Sequence, residues 1–230
     1  MLKHILAAAC LLGLSASGAM AQQPIPPVPM TPFGDGRESV LTDDLAYRIG
    51  DTRHIVVVPA GFVTDFASVP RAFWAALPPF GRHQLAAIVH DFLYWDQGCT
   101  REQADALLRV AMAESAVEPA TRDVIWQAVR AFGGTAWTNN ASAKAAGQPR
   151  IVPQDDLKIP PLVTWPEYRA QLFAKGVRPQ PGPPAPPEYC AAAGTVNLDV
   201  PWCRARESPA MYRASACPGP SSWSAPSAGD

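Results

Sequence analysis

Hydrophobic and polar positions divide the chain into a β-rich start, a helical middle and a patternless end. "AYRIG" (Ala46–Gly50) and "HIVVVPAGFVTD" (His54–Asp65) are short and β-branched, and the second is broken by Pro59-Ala60-Gly61. Such runs predict strands joined by a tight turn. Past Ser68 the spacing becomes helical. Leu85, Val89, Phe92 and Leu93 recur along one face, which predicts a helix of about three turns through "AAIVHDFLYWDQ". A second helix opens at Thr100, where Gln103 completes a capping box, and carries the stripe Ala104, Leu107, Leu108, Ala111 and Met112. Pro119 sits early in a third, lined by Val124, Ala128 and Phe132 and expected to stop at Gly133-Gly134. A last helix runs from Pro166 to about Lys175, capped by Thr164 and Glu167 and ended by Gly176.

These elements predict an α+β domain over residues 37–176: a small β-hairpin or short antiparallel sheet, then a compact array of helices. Ahead of it, residues 22–36 hold five prolines and read as an extended linker. Behind it, residues 177–230 are rich in Pro, Ala and Ser, include "RPQPGPPAPPEY", and read as a largely disordered tail.

Charge adds an exclusion. The chain has 19 basic and 20 acidic side chains with no basic block, which argues against a nucleic-acid partner. Its first residues suggest export. Lys3 and His4 precede the apolar run Ile5–Leu14, and Ala19-Met20-Ala21 has the small-x-small pattern of a signal-peptidase site. Cleavage after Ala21 would leave a periplasmic or secreted protein, and the apolar run is too short to span a bilayer. Cys99, Cys190, Cys203 and Cys217 then remain, an even number suited to disulfides in an oxidising compartment. Three lie in the tail, so the pattern suggests a tail stapled to itself with one bridge back to Cys99.

Several chemistries lack their residues. There is no Gly-x-Ser-x-Gly elbow, no phosphate-cradling glycine loop and no His-Glu-x-x-His pair. After Ala21 only His54, His83 and His90 remain, too few for a multi-histidine metal site. What stands out is the pair His90-Asp91 in an apolar helix. His90 and Tyr94 are four apart and share a face, while Asp91 lies about 100° round the helix. If the next helix packs antiparallel through "DQGCT", Asp105 can face His90. An aspartate so placed fixes a histidine's tautomer and leaves the other ring nitrogen as a general base. On this reading His90, Asp105 and Tyr94 form the catalytic group. Asp91, with Asp65 from "FVTDFASVP" as a second acidic group, would hold a cation or a water. Arg71 and Arg82 would meet an anionic part of a substrate. The plainer readings are a buried histidine satisfied by a carboxylate, a turn-forming Asp65, a helix-capping Ser68 and solvated arginines.

"HDFLY" (His90–Tyr94) and "REQAD" (Arg101–Asp105) resemble the active-site helix pair of secreted phospholipases A2. That resemblance implies a histidine activating water for attack on an ester, with the adjacent aspartate helping to hold calcium or another divalent cation. "PPFGRH" upstream offers one glycine where that family has a glycine-rich calcium loop. Over a longer stretch, "VPAGFVTDFASVPRAFW", "AAIVHDFLY", "REQADALLRVAM" and "VRAFGGTAW" resemble, in order, a family of phage and bacterial proteins known as domain of unknown function 1353. This second resemblance implies a fold and a prophage-related history but names no reaction.

Two functions from different classes follow. One is an exported hydrolase acting on a small-molecule or lipid-like ester. The other is a non-catalytic envelope or virion-associated module in which the His-Asp cluster is structural and the Pro-rich tail meets a partner.

Overall fold

The computed structural model describes residues 28–50, 52–66, 84–115, 117–183, 185–196 and 198. The expected signal peptide, Ser68, Arg71, Arg82, His83, Cys203 and Cys217 lie outside the described residues.

The architecture is α+β, with two small antiparallel sheets followed by five α-helices among the described residues. β3 (Leu45–Arg48) and β4 (Ile55–Val58) form a hairpin with Leu45 opposite Val58 and Arg48 opposite Ile55. Its sequence alternates as a half-buried ribbon should: Leu45, Tyr47, Val56 and Val58 point into the core, and Val57 points out. The other sheet has β2 (Ser39–Leu41) between β1 (Met30–Pro32) and β5 (Val63–Thr64). β1 comes from the proline-rich stretch read as a linker, on the sheet edge where proline is tolerated.

The Pro59-Ala60-Gly61 turn between β4 and β5 needs its glycine. Gly61 has φ +84°, and a Cβ there would lie 2.0 Å from the Val152 carbonyl oxygen. The Val152 amide donates to the Gly61 carbonyl at 2.8 Å, and the Val63 amide donates to the Arg150 carbonyl at 3.0 Å. A bridge from Phe62 to Ile151 completes the contact, so residues 150–152 lie along the strand that leads to the site.

α1 (Gln84–Asp96) is buried along nearly its whole length, every residue from Leu85 to Trp95 being shielded from solvent. It packs against α2, α3, β4 and β5. A helix covered on all sides cannot leave polar groups to water, so His90 and Asp91 require partners inside the protein. α2 (Arg101–Glu114) begins with the expected Thr100–Gln103 capping box and buries its predicted stripe. α4 (Trp165–Ala174) has the Thr164–Glu167 box, and Gly176 follows with φ +91°.

α3 (Pro119–Ala145) corrects the expected helix end. It runs through Gly133-Gly134 for 27 residues in all. Neither glycine acts as a C-terminal stop. Gly133 instead sits where Tyr94 approaches α3 so closely that a Cβ would lie 2.4 Å from the Tyr94 hydroxyl.

Two apolar clusters result. The main one joins the hairpin to α1, α2 and the first half of α3. In the smaller one, Phe33, Val40, Val63 and Val152 meet Trp165, Tyr168 and Leu172 of α4. Part of the segment that composition reads as tail joins the main cluster. α5 (Tyr189–Ala192) packs on α2, with Cys190 and Ala192 buried. A disulfide between Cys99 and Cys190 ties it to the loop after α1, the one bridge back to Cys99 that the cysteine spacing suggests. Among the described residues no helix is long and apolar enough to cross a membrane.

Candidate functional site

Three helices meet at Asp105. α1 brings His90, whose Nε2 lies 3.0 Å from Asp105 Oδ1, and Tyr94, whose hydroxyl donates to the same oxygen at 2.6 Å. From α2, Arg101 Nη1 donates to Asp105 Oδ2 at 3.3 Å; from α3, Arg130 Nη1 does the same at 3.3 Å. Arg101 also donates to the Arg130 carbonyl at 3.2 Å, locking α2 to α3. Asp105 is fully buried, and a buried carboxylate persists as an ion only with such pairing.

The electrostatics assign the protons. Burial pushes the Asp105 carboxyl up, but hydrogen bonds from His90 and Tyr94 and the charge of Arg101 outweigh it, leaving it below its ordinary range. Asp105 is therefore ionised and accepts only. Burial pulls the His90 imidazole below the ordinary histidine range, against the opposing pull of Asp105, so the ring is neutral near pH 7. A neutral imidazole facing an acceptor carries its hydrogen on Nε2. Nδ1 is then the basic nitrogen of the ring. Tyr94, its ionisation suppressed chiefly by burial, stays protonated as a donor. Its ring lies 4.1 Å from that of His90, centroid to centroid, and edge-on to Trp137 at 5.2 Å.

His90 also lines a cavity of about 410 Å³. Its lining comprises His90, Asp91, Tyr94 and Asp65, residues of α3 between Ala128 and Asn140, and Arg150. Asp91 is oriented by β5: the Thr64 hydroxyl donates to Asp91 Oδ2 at 2.6 Å, and the Phe66 amide donates to that hydroxyl at 3.2 Å. Phe66 makes this bond with φ +53°, in the left-handed region that non-glycine residues rarely adopt. Arg150 is held by three hydrogen bonds. Its Nε donates to the Val63 carbonyl at 2.9 Å, its Nη1 to Asn140 Oδ1 at 3.0 Å and its Nη2 to Asp65 Oδ1 at 3.4 Å.

The structure thus brings together His90, Asp91, Tyr94, Asp105 and Asp65, the five sequence-derived candidates within the described residues. Asp65 pairs with Arg150 and is partly exposed. Asp91 and Asp65 both face the cavity, but among the described residues no three carboxylate, imidazole or thiol groups gather as a metal cluster would. Calcium takes six to eight oxygen ligands. With Asp91 held by Thr64 and Asp65 by Arg150, the described donors do not fit that ion. Periodicity missed Arg150, Asn140 and Thr64, because each reaches the site through tertiary contacts. Arg101 was missed as well, although its place four residues before Asp105 on one helix is a signal that could have shown it.

Residues 39–129 match the model of a family described as "Protein of unknown function (DUF1353)". The match covers β2 to β5, α1, α2 and the first part of α3, and so contains the whole His90–Asp105 contact. No curated protein and no solved structure matches the chain.

Proposed function

We propose that the protein is a hydrolase in which His90 activates water for attack on a carbonyl group bound in the cavity. One observation carries this reading: His90, bonded to the buried Asp105 behind it, lines a cavity. Nδ1 of the neutral imidazole accepts a proton from water as the oxygen attacks the carbonyl carbon. The imidazolium so formed is stabilised by the Asp105 carboxylate, and it returns the proton to the leaving group as the acyl bond breaks. Arg101 and Arg130 keep Asp105 ionised through the cycle, and Tyr94 holds its Oδ1 in register. Arg150, a cation at the cavity's edge, is the described group best suited to a developing oxyanion.

Export is part of the proposal, supported by the N-terminal pattern and by a buried disulfide. A second reading has its own support. With four partners on one buried carboxylate, Asp105 also behaves as a bracket joining three helices, as a non-catalytic envelope or virion module would use it. The two separate on a panel of acyl esters and phospholipids assayed with calcium and with chelator. Hydrolysis of any member that disappears in His90→Gln supports the enzyme. A folded wild-type protein inert across the panel supports the module.

A further inference from the structure

The α3 face of the cavity is graded. Ala128, Val129, Phe132 and Ala136 are apolar, whereas Asn139 and Asn140 follow at its C-terminal end, where Arg150 joins them. At 1.5 Å per residue, Ala128 to Asn140 spans about 18 Å, longer than a single small polar ligand needs. Phe132 is 71% exposed although it lines the cavity, an unusual placement for a large aromatic side chain. The dyad can be located on this gradient. The Tyr94 hydroxyl abuts Gly133, between Phe132 and Ala136, and the His90 ring lies against that of Tyr94 at a tilt of 45°. Asn140 Nδ2 donates to the Tyr94 carbonyl at 3.2 Å, so His90 stands beside the residue that links the apolar stretch to the polar end.

We infer that the cavity binds an amphipathic small molecule, with an apolar arm along Ala128, Val129, Phe132 and Ala136 and a hydrogen-bonding end at Asn139, Asn140 and Arg150. The identity of the reacting bond rests on the hydrolase reading, and that bond lies where the arm joins the polar end. The substrate is then an acyl ester or amide whose arm is several carbons long. Such an arm occurs both in soluble esters and in membrane lipids. An apolar wall rewards each buried methylene, so two or three of them in contact with α3 amount to at least about a tenfold gain in affinity.

Equilibrium binding tests this without turnover, with N-octylacetamide and acetamide as monomeric probes and neutral phosphatidylcholine vesicles as a third arm. The octyl amide is expected to bind at least about tenfold more tightly than acetamide, and Ala136→Trp, at an exposed position, is expected to abolish that preference. Equal binding of the two amides, a preference untouched by Ala136→Trp, or binding to vesicles alone would overturn the inference. The two readings fail separately. An octyl preference in a protein that hydrolyses no ester removes the hydrolase and keeps the ligand class. Ester hydrolysis indifferent to arm length does the reverse.

Discussion

His90 Nε2 and Asp105 Oδ1 lie 3.0 Å apart across the contact of α1 with α2, with both side chains buried. Removing the carboxylate leaves Arg101 and Arg130 with only the exposed Glu102 as a shared anion and His90 without its acceptor. Asp105→Ala is expected to cost about 3 kcal/mol of unfolding free energy, moderated because both arginines reach solvent. Asp105→Asn keeps the shape but removes the charge that stabilises the imidazolium. Its activity should fall by about a hundredfold or more while the fold persists. Denaturant titration and steady-state rates measure the two effects, and an Asp105→Asn protein as active as wild type would contradict the role given to the carboxylate.

The two neighbouring glycines of α3 should respond in opposite directions to alanine. A Cβ on Gly134 would meet nothing within 4 Å, so Gly134→Ala should gain roughly 0.5–1 kcal/mol from helix propensity. Gly133→Ala drives a methyl into the Tyr94 hydroxyl and breaks its bond to Asp105, which should outweigh the same gain. Paired thermal melts read the difference. Equal shifts in the two variants would show that Tyr94 has room to spare.

Acid should weaken the fold in a window set by His90. The unfolded chain takes up a proton near 6.5, whereas burial holds the folded imidazole neutral to lower pH. The unfolded state thus binds more protons between those two points, and stability present above 6.5 is lost as the pH falls through the window, by at most about 1.4 kcal/mol per pH unit. Asp105, also held low in the folded state, adds a second loss below 3.8. Denaturant unfolding across this range should show both limbs, and His90→Gln should flatten the upper one alone. A wild-type curve that stays level below 6.5 would contradict a neutral His90.

Local pattern made much of this legible. The capping boxes at Thr100 and Thr164 act within four residues, and the α2 stripe follows from periodicity, so both are readable in the sequence alone. The His90–Asp105 contact followed from two helices and a short loop. The Gly133-Gly134 pair misled because glycine marks helix ends locally, while here it answers a side chain arriving from another helix. Arg150 was invisible for a similar reason. Its three partners, Val63, Asn140 and Asp65, lie 87, 10 and 85 residues away in sequence.

The Cys99–Cys190 bridge closes a separation of 91 residues and anchors a four-residue helix that buries only Cys190 and Ala192. Cys190→Ser should therefore lower unfolding free energy by about 2–4 kcal/mol, and reductant should do the same to wild type while leaving the variant unmoved. Chemical denaturation with and without reductant checks both expectations. Indifference of the wild-type protein to reductant would mean that the packing of α5 on α2 suffices without the bridge.

Everything functional turns on whether His90 works on a ligand or merely fills a helix contact. Hydrolysis of a medium-chain acyl ester by wild type and by His90→Gln decides it, with unfolding measured on the same samples. The variant should remain folded and lose about 10²–10⁴-fold in rate, while the wild-type rate should rise with pH through an apparent pKa below 6.5. A folded His90→Gln protein that retains the wild-type rate would show that the imidazole performs no chemistry.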